Sequence, residues 1–228
     1  MCGRFTLRHR TAAIAERFAV TLLDLDPVEP RYNIAPTQRV LGISGEPERV
    51  ATMYRWGLIP FWAKDASIGS KLINARSETV AEKPSFRQAL AKRRCLIPAD
   101  GFYEWQKGPG GKTPMYIRYR DGRLFAFAGL WETWRPEEGT PVSTCTVLTT
   151  EPNALMGPIH NRMPVILDPK DEAAWLDPET SPSVRLELLR PCAPDEMEAF
   201  PVSRRVNSPA VDESALIEPV RNATLFDT

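Results

Sequence analysis

The chain begins MCGRF, so removal of the initiator methionine makes Cys2 the amino terminus. Methionine aminopeptidases act when the second side chain is small, and a mature protein starting at Cys2 is therefore expected. Such a terminus carries two nucleophiles on adjacent carbons. An α-amine with a pKa of about 7.7–8.0 is roughly a third neutral near pH 7.4, whereas a lysine is almost wholly protonated there. The amine can attack a carbonyl without special activation. The thiol, with an unperturbed pKa of about 8.5, can then add to the imine and close a five-membered thiazolidine. Aldehydes are the matching electrophile. Taken by itself, though, a cysteine beside a start codon is most often just that.

Three further stretches, KLINARSET, ADGFYEW and GPIHNRMP, pair a reactive or orienting side chain with residues that present it at a cleft. Asn74 follows an apolar run and offers an uncharged donor and acceptor; a turn or cap asparagine is the plain alternative. Glu104 lies between aromatic residues, where desolvation favours general acid or base duty; the plain alternative is an outward-facing strand glutamate. His160 is one of only two histidines and sits in a Gly/Pro-fixed loop, which makes it the natural proton shuttle unless it is structural. His9, between Arg8 and Arg10, reads as a surface or phosphate-side residue. Arg4, Arg76 and Arg162 each fall two residues from one of these candidates, and guanidinium groups around a reactive centre suit a phosphate-bearing substrate. In RWGLIPFWAKD, Trp56 is expected in the core, as is Phe61, and Trp62 at the surface, where it would stack bases.

These residues need a scaffold, and 228 residues suffice for one domain with a real core. The 22 prolines are spread along the chain and do not form a linker. Four cysteines without a CxxC pair and two histidines support neither a zinc site nor a disulfide framework. Cys95, Cys145 and Cys192 are expected to be structural buried thiols, and no cofactor is called for. No apolar run reaches membrane-span length, and the start does not read as a signal peptide. A soluble protein of a reducing compartment, the cytoplasm, is the expectation. Residues 1–120 hold 20 Lys and Arg against 11 Asp and Glu, leaving 9 against 18 in the remainder. Either the first half makes a basic face, or folding intermixes the halves.

TAAIAERFA (11–19) predicts a short helix capped by Thr11, with Ile14 and Phe18 on one face. FRQALAKRR predicts a second, with Pro84 in its first turn, and PKDEAAWL and SVRLELL two more. RVLGIS, RVATMYRWGL, CLIPADGFYEW, STCTVLTT and MEAFPVS read as strands. MYIRYRDGRLFAFAGLW, with Asp121-Gly122 at its centre, predicts a type I′ hairpin. The fold class expected is α+β: β-rich, with a largely antiparallel, barrel-like sheet and flanking short helices.

MCGRF, PRYNIAPTQ, WGLIPFWAKD, NARSET, PADGFYEW, HNRMP and VSRRVN, in this order, resemble the SOS-response-associated peptidase family, abasic-site processing proteins that protect single-stranded DNA. The resemblance runs from residue 2 to about 207. It implies a single domain over 2–210 with a tail at 211–228, acting as a monomer on abasic single-stranded DNA. It further implies covalent capture of the abasic aldehyde by Cys2, with Asn74, Glu104 and His160 as the other catalytic positions. Arg4, Asn33, Trp62, Arg76, Thr149 and Arg162 are the DNA-binding positions it implies. Removal of Met1 by the protein itself, and a thiol peptidase or amidohydrolase activity, are the alternatives carried with it.

Overall fold

The computed structural model describes residues 2–21, 27–45 and 47–220. Thirteen strands follow in chain order: β1 (Phe5–Leu7), β2 (Arg31–Ile34), β3 (Arg39–Ser44), β4 (Val50–Trp56), β5 (Asn74–Arg76), β6 (Arg94–Ala99), β7 (Gly101–Gly108), β8 (Gly111–Tyr119), β9 (Phe125–Trp134), β10 (Val142–Thr150), β11 (Met163–Pro164), β12 (Ile166–Leu167) and β13 (Met197–Pro201). β10, β4, β3, β6 and β9 pair in a closed ring, since β9 also pairs with β10. Within this five-stranded barrel only β4 and β10 run parallel. β5, β11 and β12 pair onto its strands. A second sheet has the order β13-β8-β7-β1-β2 and is antiparallel throughout. The protein is thus β-rich, with a few short helices, as its composition of alternating and aromatic runs predicts.

The CLIPADGFYEW run links the two sheets. β6 belongs to the barrel and β7 to the second sheet, and the chain crosses at Asp100, which is fully buried. A buried carboxylate needs partners. Thr6 Oγ1 donates to Asp100 Oδ1 at 2.6 Å, Arg8 Nε to Oδ1 at 3.1 Å, and His9 Nδ1 lies 2.9 Å from Oδ2. His9 is therefore held by Asp100 and is not simply a surface residue. Aromatic rings lock the layers: Phe5 of β1 meets Trp56 and Phe127 of the barrel edge-on at 5.2 and 5.7 Å. Burying such a ring contributes about 2–3 kcal/mol. Next to the crossing, a Cβ on Gly101 would fall 2.1 Å from the hydroxyl of Tyr116, which is itself 2.9 Å from Thr6 Oγ1. Gly101→Ala should destabilise by about 2 kcal/mol through overpacking, lowering the thermal midpoint by several degrees; an unchanged melt would show that Tyr116 swings away freely.

The predicted hairpin at Asp121-Gly122 does not form. The turn exists, with Gly122 at φ 70° and its N–H donating to Tyr119 O. Its flanking strands part, however: β8 is taken up by β7 and β13, and β9 by β6, β10 and β12. A turn signal is local, and the better partners were distant in sequence. The tight hairpin is instead β7–β8, closed over Pro109-Gly110 with Gly111 at φ 104°.

Helix α1 (Thr11–Phe18) buries Ile14 and Phe18 as expected, but Thr11 does not cap it. Its hydroxyl accepts from Val28 N–H instead, at 2.9 Å. Helix α2 (Arg87–Lys92) starts after Pro84, whose turn precedes the first helical residue. PKDEAAWL contains α3 (Glu172–Leu176) and SVRLELL most of α4 (Pro182–Glu187). Cys95 and Cys145 are buried free thiols and Cys192 is half-buried. Among the described residues, no helix is long and apolar enough to cross a membrane, and no cluster of His, Cys, Asp and Glu could hold a metal ion.

Folding intermixes the charges of the two halves. Arg17 and Arg49 meet Glu172, Arg31 meets Asp212, Arg93 meets Glu132 and Arg118 meets Glu198. Residues 211–220 lie against the second sheet: Leu216 is fully buried, and Val220 N–H donates to Pro201 O at 3.0 Å. The last eight residues of the expected tail lie outside the described residues.

Candidate functional site

The segment before β1 continues alongside β7, with Tyr103 N–H donating to Arg4 O at 3.0 Å. This carries Cys2 to the level of Glu104. Cys2 is completely buried and Glu104 nearly so. Burial, and then the Glu104 carboxylate, push the Cys2 thiol up to about 12, while a hydrogen bond from the Arg4 N–H opposes them. The thiol beside Glu104 is therefore held neutral.

Asn74 reaches the same point from the barrel. β5 pairs in parallel with the end of β10, with Asn74 opposite Val147 and Arg76 opposite Thr149. From there Asn74 Nδ2 donates to Cys2 O at 2.8 Å. Its Oδ1 is buried with no hydrogen-bond partner among the described residues. The site thus joins two sheets, Cys2 and Glu104 from one and Asn74 from the other.

His160 sits on the loop after β10. That loop is tied to β7 by Gln106 Nε2, which donates to Pro158 O at 3.1 Å, two residues along the strand from Glu104. His160 Nδ1 accepts from Arg162 N–H at 3.0 Å. The same Nδ1 lies 3.1 Å from Arg162 O, so both contacts with the Arg162 backbone hold the ring in the loop.

The six expected DNA contacts separate sharply. Trp62 is 48% exposed and Arg76 is exposed, with no ion pair within 4 Å among the described residues. Phe61, expected inside, is 51% exposed beside Trp62, whereas Trp56 is core and its Nε1 donates to Ile73 O at 2.9 Å. Arg162 is only 14% exposed: both its Nη atoms bond the Glu78 carboxylate, and Nη2 also donates to Thr149 O at 2.6 Å. Thr149 is fully buried and Arg4 largely so. Arg4 Nη1 donates to Asn33 Oδ1 and Val206 O at 2.7 and 2.6 Å. Asn33 departs most from expectation. It is fully buried, and its Nδ2 donates to Ser208 O and Val211 O at 3.0 and 2.6 Å, so it anchors the returning 206–211 segment and presents no surface.

The sequence alone gave no role to several residues here. Glu78 clamps Arg162 from 84 positions away. The VSRRVN stretch supplies Val206 O to Arg4, and Asn207 Oδ1 to Trp105 Nε1 at 2.7 Å. The motif is therefore a brace under Arg4 and Trp105.

A model of the SOS response associated peptidase (SRAP) family matches residues 1–209. The chain belongs to that family. It is 51% identical over 223 residues to the abasic site processing protein YoqW of Bacillus subtilis (strain 168), a match covering 96% of this chain and 99% of the relative. The abasic site processing protein HMCES of Gallus gallus is 36% identical over 199 residues, 76% of this chain and 58% of that protein. The solved structure of a protein from Bacteroides thetaiotaomicron superposes with a TM-score of 0.87 at 27% identity, over 96% of this chain and all of the other.

Proposed function

We propose that this SRAP protein senses abasic sites in single-stranded DNA and captures their aldehyde covalently through Cys2. The observation that carries the reading is the Asn74 Nδ2–Cys2 O bond of 2.8 Å, which fixes the first residue of a processed chain beside the buried Glu104 carboxylate. The abasic-site names of the relatives support it. An abasic deoxyribose is mostly a closed hemiacetal, so a base must take its hydroxyl proton while an acid delivers a proton to the ring oxygen as its bond to the aldehyde carbon breaks. Glu104 and His160 fill these roles. The Cys2 amine then condenses with the aldehyde carbon and releases water. Finally the thiol adds across the C=N bond: sulfur bonds to carbon, and its proton passes to nitrogen. Ring closure removes the imine that would otherwise drive strand scission.

A thiol amidohydrolase would need the thiolate first, and that form is scarce for a thiol pushed up to about 12. An amine-first sequence suits the same environment. The unit acting is a single domain that includes residues 211–220, packed on the second sheet through Leu216, working as a monomer wherever single-stranded DNA is exposed, in the cytoplasm and on the nucleoid. A denaturing gel with abasic single-stranded DNA tests the reading. A slow-migrating covalent band without added reductant is expected; salt-sensitive binding with no such band would sink the capture mechanism, and release of a cleaved peptide or amide would favour the hydrolase.

Two of the arginines expected to contact DNA, Arg76 and Arg162, should behave differently. Arg76→Ala removes an exposed cation; it should weaken binding of every sequence alike and flatten the salt dependence by about 0.7 in log–log slope, with little change in melting. Arg162→Ala should also lower the melting temperature, because it removes one of the two hydrogen bonds to Thr149 O, leaving only that from Ser77 N–H, and frees Glu78. Equal melts for the two variants would show that the Glu78 clamp is not structural.

A further inference from the structure

Arg39 and Arg55 stand directly opposite each other across the antiparallel β3–β4 pair. Directly opposed side chains are about 4.5–5.5 Å apart at Cβ, and like charges so placed are destabilising. Several arginines elsewhere on this protein, Arg8, Arg17, Arg31, Arg93 and Arg118 among them, meet carboxylates. Here neither guanidinium has an ion pair or side-chain hydrogen bond among the described residues, and Arg55 Nη1 is buried without any partner.

The acids around the pair are engaged or distant. Glu132, on the strand beyond β10, is held by Arg93 at 2.7 Å. Asp65, which caps the 3-10 turn at Ala66–Lys71 packed over Arg55, accepts from Ser67. Asp212 is held by Arg31 and by Tyr32 N–H. Glu29, exposed at the rim of a neighbouring cavity that Arg31 and Arg39 also line, makes no ion pair among the described residues. A repulsive pair with an unsatisfied donor persists when an anion completes it in the working state.

Two local features aim the pair at a strand of nucleic acid. Arg39 follows the Ala35–Gln38 turn, where Thr37, a β-branched residue, is exposed at φ 73°, with its N–H donating to Trp56 O at 2.8 Å. Such a residue in the left-handed region is a strained outlier of the kind concentrated at ligand clamps. Arg55 precedes Trp56 and Gly57, which open the loop that exposes Phe61 and Trp62. Cations and exposed aromatic faces in alternation are the recognition surface of single strands.

We infer that Arg39 and Arg55 together form a phosphate-binding site, in which one backbone phosphate of single-stranded DNA bridges the two guanidinium groups while neighbouring bases pack on Phe61 and Trp62. This rests on the single-strand reading above but requires no chemistry at Cys2. It places a second contact with the strand on the barrel's β3–β4 face, independent of Arg76 and Arg162.

The test uses an oligonucleotide with no abasic site, so that capture cannot contribute. Arg39→Gln, Arg55→Gln and the double variant are titrated at several salt concentrations beside the parent, with Arg87→Gln, an exposed charge on α2, as control. Each single variant should bind about ten-fold more weakly and lose about 0.7 from the salt slope. The double variant should lose little more than either single one, because one phosphate is shared. Thermal melts should show the single variants equal to or more stable than the parent, since repulsion is relieved. Variants matching the parent in affinity and slope would overturn the site while leaving the single-strand reading intact. A parent that fails to bind the oligonucleotide at all would overturn both. Weaker binding accompanied by a lowered melting temperature would assign the pair to the scaffold and overturn the site as well.

Discussion

The Cys2→Ser protein should bind abasic single strands as tightly as the parent and leave no heat-stable adduct. The substitution changes one buried atom at a position whose backbone is already held by Asn74, so the fold and the strand path are preserved. The amine still condenses with the aldehyde. What is lost is the second step: an oxygen adding to the imine closes a ring that opens readily, and the chain returns to the imine and then to free aldehyde. Time courses on denaturing gels, with and without borohydride, separate the steps. Borohydride should rescue a band for Cys2→Ser by reducing its imine. An undiminished adduct without reductant would remove the thiol from the mechanism, and no rescue would show that the amine is not the first nucleophile.

Glu104→Gln should slow capture by about a hundred-fold, the lower end of what positioned acid–base groups provide. The amide is nearly isosteric but can neither take the hydroxyl proton nor hold negative charge beside the thiol. Because release retraces the same steps, it should slow by a similar factor, so the adduct yield at long times is close to the parent's. Single-turnover capture and release, with binding measured separately, give the answer. Parent-like rates in both directions would reduce Glu104 to a buried strut. A defect in capture alone, with normal release, would point to misplacement of the sugar and not to proton transfer.

Much of this site was readable because its chemistry is carried by short runs. Cys2, Asn74, Glu104 and His160 each lie in a stretch whose neighbours fix the backbone, and Cys2, Asn74 and Glu104 do converge. Strands such as RVLGIS were legible from alternation and β-branching, and β3 coincides with that run. What was not legible depends on distant partners. Asp121-Gly122 turns as its type dictates, but which strand pairs with which is settled by β13 and β6, far away in the chain. Asn33 carries a side chain suited to DNA, and only the return of residues 206–211 shows it occupied. Arg162 was expected at the DNA backbone, and only Glu78, 84 positions away, shows its guanidinium already engaged. The basic first half dissolved for the same reason, its arginines meeting acids from the second half.

The crossing at Asp100 and the aromatic key of Phe5 between the sheets bear on more than packing. Cys2 and Glu104 ride on one layer, Asn74 on the other, so the grip on Cys2 exists only after the layers have docked. An N-terminal cysteine by itself reacts with any small aldehyde it meets. In this architecture Cys2 is sheltered and held by the same event that completes the fold; on the proposed mechanism, a newly made chain gains aim and discretion together.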